Sequence, residues 1–404
     1  MITPVFTPSG AVATRYWSSL ADGRVQCDLC PRLCKLNDGQ RGLCFVRAAE
    51  DGAVVLTTWG RSSGFCVDPI EKKPLNHFLP GTAVLSFGTA GCNLACQFCQ
   101  NHDISKSREI DTLADQAHPE TVAAAALALG CRSVAFTYND PVIFHEYAID
   151  VAKACHDVGV RAVAVTAGYV SPEPRAEFFA HMDAANVDLK GFTEDFYVRH
   201  TRSHLQPVLE TLEYIRHETG VWLELTVLLI PGENDSPAEI TALCRWVAER
   251  LGPDTPVHFT AFHPDFRMLD KLGTPHATLA MARRIALAEG LRYAYVGNVH
   301  DLGRQSTVCH GCGERVIERD WHALGAWRLD GRGACNVCGT PMAGVLEPEP
   351  GAWGARRLPV RLADYETRRN ADAAQAEPGP VQPSTSASPK LSVSKRKASK
   401  RSDQ

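Results

Sequence analysis

Gly88-Thr89-Ala90-Gly91-Cys92-Asn93-Leu94-Ala95-Cys96-Gln97-Phe98-Cys99-Gln100-Asn101 carries three cysteines at C-x3-C-x2-C spacing. A short apolar run of strand type, residues 84–87, stands directly before it. Three thiolates at this spacing can wrap three irons of a cubane cluster, and no fourth cysteine follows at ligand distance. One iron is then left open to a substrate or cofactor, as the fourth position is in catalytic zinc sites. Phe98, beside the last ligand, is placed to shield such a cluster from water. A zinc knuckle that borrows a distant histidine is the competing reading of Cys92, Cys96 and Cys99.

Outward from this segment, strand-type and helix-type runs alternate between about 83 and 300. Strands are expected at 84–87, 133–137, 161–166, 186–189, 222–230, 257–262 and 293–296. Helices are expected at 120–129, 147–158, 173–181, 207–218, 237–250 and 279–288, the first opened by Pro119 and closed by Gly130. Six such alternations imply an α/β fold with a parallel sheet and right-handed crossovers. A partial (β/α)6 barrel fits best, with a flat doubly wound sheet as the alternative. A G-x-G-x-x-G fingerprint for a dinucleotide is missing.

The chain has 404 residues, 45% hydrophobic and 22% charged, which excludes a wholly disordered chain, a collagen or a coiled coil. No apolar run approaches the roughly 18 residues of a membrane helix, and the start has no secretory pattern. The net charge of -4 argues against a dedicated nucleic-acid binder. The 15 cysteines are clustered and odd in number, which favours metal or cluster binding in a reducing, cytoplasmic setting over disulfides. The expected division is a loose lead at 1–23, a cysteine-rich module at 24–82, the barrel at 83–300, a terminal cysteine module at 301–347 and a mostly disordered tail at 348–404. Lys395, Arg396, Lys397, Lys400 and Arg401 in that tail could meet nucleic acid or a membrane surface, or simply be solvated.

Two further cysteine sets stand outside the barrel. Cys309-x2-Cys312 and Cys335-x2-Cys338, each followed by glycine, have zinc-ribbon spacing. Cys27-x2-Cys30-x3-Cys34-x9-Cys44 can form a closed site for zinc or for an auxiliary [4Fe-4S] cluster, and does not match the ferredoxin run. Glu71, Lys72, Lys73 and His77, in the bridge to the barrel, either reach the active-site mouth or are solvated loop residues.

C-x3-C-x2-C after the first strand of a partial barrel resembles the signature of the radical S-adenosylmethionine superfamily. Within it, the chain is similar to the pyruvate formate-lyase activating enzyme branch, and more specifically to the AmmeMemoRadiSam system radical SAM enzymes. The closer resemblance rests on the N-terminal four-cysteine segment, on Val67-Asp68-Pro69-Ile70-Glu71-Lys72-Lys73-Pro74, on His77-Phe78-Leu79-Pro80-Gly81, on Cys99-Gln100-Asn101, on Thr137-Tyr138-Asn139-Asp140-Pro141 and on the terminal C-x2-C pair. It implies a [4Fe-4S] cluster that cleaves S-adenosylmethionine reductively to a 5′-deoxyadenosyl radical, which takes hydrogen from a substrate. That substrate is a small molecule, a partner peptide or a glycyl radical enzyme.

The resemblance also implies cofactor contacts at the carboxyl ends of strands. Asp140, with Asn139, stands where relatives carry the acceptor of the methionyl ammonium, although Asp140 is one methylene shorter than their glutamate. Thr166 falls near the ribose and methionyl end, Asp188 and Lys190 near the methionyl carboxylate, and His263 near the adenosine. Asp140 and Asp188 could equally cap a following helix, and His263 could be a packing residue. Implied partners are a flavodoxin or ferredoxin donor and AMMECR1-type and Memo-type pathway proteins, with no membrane and no nucleic acid. The competing class is a non-catalytic zinc-binding adaptor, in which all three cysteine sets hold zinc and no turnover occurs.

Overall fold

Seven parallel strands lie side by side in chain order: Ala83–Gly88, Ser133–Phe136, Arg161–Thr166, Ala184–Asp188, Trp222–Leu229, Val257–Ala261 and Ala294–Gly297. They match the seven expected runs. The structure is a computed structural model and describes residues 4–106 and 115–366. A doubly wound sheet reverses its strand order at a switch point. The order here never reverses, so the sheet curls one way as a partial barrel. The first strand is buried along its whole length, as an apolar run between two covered faces must be.

Helices Pro119–Ala128, His145–Asp157, Pro172–Phe179, Gln206–Glu218, Pro237–Trp246 and His276–Ala288 make the six crossovers. Their starts follow local chemistry. Ser236 accepts a hydrogen bond from the Glu239 N–H (3.2 Å), and Pro237 occupies the first turn, where its missing N–H costs nothing.

The bridge segment carries the antiparallel strand Arg61–Pro69, which covers the edge of the first barrel strand. Leu358–Pro359 pairs in turn with Arg61–Pro69, and Leu362 is buried. Residues 348–366, assigned from sequence to the tail, therefore run back along the sheet. A two-residue strand is too short to give a periodic signal. Val12–Ala13 and Trp17–Ser19, from the expected loose lead, pair with Ala53–Leu56 and Val25–Cys27 for the same reason. The basic residues Lys395 to Arg401 lie outside the described residues. Among the described residues, no helix is long and apolar enough to cross a membrane.

A buried polar floor joins the barrel to both flanking modules. The Glu224 carboxylate accepts from the N–H groups of Asn76 (3.0 Å) and His77 (2.7 Å), from the Trp222 indole (3.0 Å) and from His258 Nε2 (2.7 Å). Arg319 of the terminal module donates to the Asn76 carbonyl (2.6 Å) and to Thr307 Oγ1 (2.7 Å). The His77 carbonyl accepts from the Val345 N–H (2.7 Å). Burial pushes the Glu224 carboxyl up, but the hydrogen bond and charge of His258 outweigh it and hold it below the ordinary range. Its contribution to stability is thus present above the unfolded value and fades as pH falls through the folded one. Glu224→Ala leaves four buried donors without an acceptor, and urea unfolding should show a loss of about 3–5 kcal/mol. A loss below about 1 kcal/mol would remove Glu224 as the tie.

Candidate active site

The cysteine loop leaves the first strand through Gly88, and its turn is set by side chains from the second. A Cβ at Gly88 would lie 2.5 Å from the Thr137 carbonyl oxygen and 2.6 Å from Asn139 Oδ1. Asn139 accepts from the Thr89 N–H (3.2 Å) and donates to the Gly91 carbonyl (2.7 Å). Both ends of its amide are therefore used to shape the loop. Gly91 adopts φ +90°, and a Cβ there would overlap the Cys44 carbonyl. The N–H groups of Ala95 and Gln97 donate to the carbonyls of Thr201 and His200, both at 2.9 Å, which fixes the far side.

Cys92, Cys96 and Cys99 open onto one cavity of about 300 Å³, within the size range of small-molecule sites. Burial pushes the Cys96 thiol up to about 12, with the Lys190 charge partly opposing it. Burial also raises Cys92, which Lys106 opposes. Binding a cation would draw off these protons, since metal ligation requires the thiolate. Ser105 Oγ lies 3.0 Å from Cys99 Sγ, Lys106 Nζ donates to the Leu94 carbonyl (2.7 Å), and Phe98 lines the cavity beside Cys99 and packs against Phe196.

Asp140, Thr166, Asp188 and Lys190 come from three successive strand ends and line the same cavity. Barrel sites belong at this end. The Asp140 carboxylate accepts from Thr166 Oγ1 (2.9 Å), the Ala167 N–H (3.1 Å) and the Val142 N–H (3.1 Å). It therefore caps the turn Pro141–Phe144 and faces the cavity as well. Burial pushes its carboxyl up to about 6. Lys190 Nζ lies 2.7 Å from Asp188 Oδ2. Burial disfavours the Lys190 charge, but Asp188 and the Cys96 thiol outweigh this and keep the ammonium above its ordinary value.

His263 does not join them. It is 63% exposed, outside the lining, with Nδ1 3.1 Å from Gln100 Nε2. The loop after the sixth strand carries it outside the cavity lining, which the family resemblance could not reveal. Of the bridge residues, Lys72 lines the cavity. Lys73 is buried and paired with Asp68 (2.8 Å), Glu71 accepts from the Gly81 N–H (2.7 Å), and His77 Nδ1 lies 2.6 Å from the Ala343 carbonyl. Sequence reasoning missed Tyr138, Lys106, Thr226, Thr260 and Asn298 as lining residues. Thr226, Thr260 and Asn298 stand at or near strand ends, which was the available signal.

The four sulfurs of Cys309, Cys312, Cys335 and Cys338 all lie within 4.8 Å of one another. Cys309–Cys338 and Cys312–Cys335 are 3.5 and 3.7 Å apart, as expected around one ion. Cys27, Cys30, Cys34 and Cys44 line a separate apolar cavity. Burial pushes the Cys27 thiol up to about 11.

A sequentially ordered parallel sheet with three convergent cysteines at its carboxyl end defines a barrel enzyme built around a metal–sulfur centre. The radical SAM superfamily pattern matches residues 87–244. The uncharacterized protein MJ0808 of Methanocaldococcus jannaschii is 36% identical over 332 residues, covering 82% of this chain and 98% of that protein. The 4-hydroxyphenylacetate decarboxylase activating enzyme of Clostridium scatologenes is 29% identical over 106 residues, 26% of this chain and 33% of that enzyme. Among solved structures, a domain of pyruvate-formate lyase-activating enzyme from Bacteroides vulgatus aligns with 41% of this chain and 99% of its own at 18% identity and a TM-score of 0.37. The chain belongs to the radical SAM superfamily and is an iron–sulfur enzyme. The adaptor reading gives way to that membership.

Membership implies a [4Fe-4S] cluster and S-adenosylmethionine, and the donor set fits them. Three buried or half-buried thiols converge on a cavity that also holds a carboxylate and an ammonium.

Proposed function

We propose that this chain cleaves S-adenosylmethionine reductively and uses the resulting radical on a substrate brought by an AmmeMemoRadiSam-type pathway. The observation that carries the reading is the convergence of Cys92, Cys96, Cys99, Asp140 and Lys190 on one cavity. When bound, the cluster and its cofactor supply one-electron cleavage and a hydrogen-abstracting radical. The chain's own residues bind and orient. Cys92, Cys96 and Cys99 hold three irons and leave the fourth open. The Asp140 carboxylate takes the methionyl ammonium, and Lys190, steadied by Asp188, takes the methionyl carboxylate. Thr166 fixes Asp140, Asn139 fixes the cysteine loop, and Phe98 supplies an apolar wall of the cavity that limits water.

The electron comes from a flavodoxin- or ferredoxin-type donor in the cytoplasm. The hydrogen donor is a small molecule or a peptide of an AMMECR1-type or Memo-type partner. A glycyl radical substrate is the second reading, favoured by the kinship to activating enzymes. The testing experiment incubates reduced, anaerobically reconstituted enzyme with S-adenosylmethionine and each candidate partner. 5′-Deoxyadenosine should form, and faster with the true partner. No 5′-deoxyadenosine with any low-potential reductant would overturn the reading.

The terminal cysteine set holds zinc. The 3.5 and 3.7 Å sulfur separations match the edge of a tetrahedron with zinc–sulfur bonds of about 2.3 Å. Cys335→Ser should lose one zinc per chain and lower the melting temperature by roughly 5–10 °C, because structural zinc contributes folding energy. Iron in place of that zinc would mark a rubredoxin-type site.

A further inference from the structure

The two outer cysteine sets differ in how far they close. Among the described residues, the terminal set is the group whose four sulfurs lie within 4.8 Å of one another. Around one zinc, each sulfur sits about 2.3 Å from the centre, which leaves no room there for a water-sized sphere. Cys27, Cys30, Cys34 and Cys44 surround such room. Their cavity of about 20 Å³ admits the centre of a water-sized sphere, more than the minimum for one water. Leu29, Val142 and Ile143 line it beside Arg32, Arg47 and Asn93, yet the surface they present to the space is almost wholly apolar and suits no free water. Four thiols around a dry space too wide for one ion describe a polynuclear site.

We infer that Cys27, Cys30, Cys34 and Cys44 bind a second [4Fe-4S] cluster rather than zinc. With four protein thiolates every iron is held, so no iron is open to substrate. The site is built against the catalytic loop. Asn93, next to Cys92, lines the second cavity and donates to the Tyr169 carbonyl (3.0 Å). Arg32 of the N-terminal module donates to the Asn93 carbonyl. Gly91 packs on the Cys44 carbonyl. Arg47, buried on the same wall, donates to the Ile143 carbonyl (3.1 Å) and pairs with Glu146, which locks the module onto the barrel. The residue next to Cys92 thus forms a wall of the second cavity.

The test uses the full chain with Cys92, Cys96 and Cys99 all changed to alanine, so that its iron reports on the second site alone. The protein is loaded anaerobically with ferrous iron and sulfide in the presence of an equal amount of zinc. About four irons, four sulfides and one zinc per chain, with visible absorbance bleached by dithionite, are expected. Fewer than about two irons, whatever the zinc content, would overturn the inference. If that variant aggregates, the native holoenzyme decides: about eight irons with one zinc supports it, and about four irons with two zincs overturns it. Reduced native enzyme should also show an electron paramagnetic resonance spectrum broadened by coupling between two centres, and Cys30→Ser should narrow it to one. An unbroadened native spectrum that Cys30→Ser leaves unchanged would overturn the inference. Because these readouts need no turnover, failure of the S-adenosylmethionine reading leaves them intact.

Discussion

Cys96→Ala is expected to abolish 5′-deoxyadenosine formation and to remove about four irons from the reconstituted chain. Cys96 is the middle member of the triplet, and its buried sulfur faces Lys190 across the cavity. Without it only two thiolates remain on the loop, too few to hold a cubane that already has one open iron. The loop itself should survive, since Asn139 and the backbone pairs to Thr201 and His200 hold it. Rates should therefore fall to background, at least about 1,000-fold, with the melting temperature of the chain little changed. Anaerobic iron analysis and product chromatography check this. Wild-type turnover from Cys96→Ala would exclude the triplet as the catalytic centre.

The second large effect is at Asp140. Asn in its place keeps the shape and removes the charge that the proposed ammonium contact requires. Affinity for S-adenosylmethionine should weaken about 10–100-fold, the range of a charge-assisted hydrogen bond of about 1.5–3 kcal/mol. The pH profile separates this from a capping role. Because burial raises the Asp140 carboxyl to about 6, wild-type affinity should drop up to about tenfold per pH unit below that value and be flat above it. Asp140→Asn should show no such step. Stability runs the opposite way. A carboxyl raised from 3.8 to about 6 favours the fold most below pH 3.8, and loses this contribution as pH rises through about 6. Calorimetry of the free and ligand-bound protein reads both slopes. Equal affinity and an unchanged pH step in the variant would leave Asp140 as the cap of Pro141–Phe144 alone.

Much of this architecture was legible in the chain because its signals are local. The apolar runs at 84–87 and 161–166 need only their own side chains to declare a buried parallel strand. Cysteine spacing is likewise written in one segment, so the triplet and the two outer sets could be separated before any contact was known. The family resemblance pointed to Asp140, Thr166, Asp188 and Lys190, and all four line the cavity. The same resemblance pointed to His263, which lies outside the cavity lining, because a loop's path after the strand depends on what it packs against. It also could not say that Asn139 spends both amide ends on the cysteine loop.

Sequence by itself determined the layout: a parallel α/β barrel, three cysteines at C-x3-C-x2-C spacing after its first strand, and two further four-cysteine sets. These follow from residue type, period and spacing, which are properties of short segments. Tertiary structure alone decided which side chains meet. It buried Glu71, Lys73 and His77 and put Lys72 at the cavity, although all four sit within seven consecutive residues. It also decided that one four-cysteine set closes tightly while the other surrounds an apolar space. The width of a metal site is a distance between chain segments, and packing of the whole fold sets that distance.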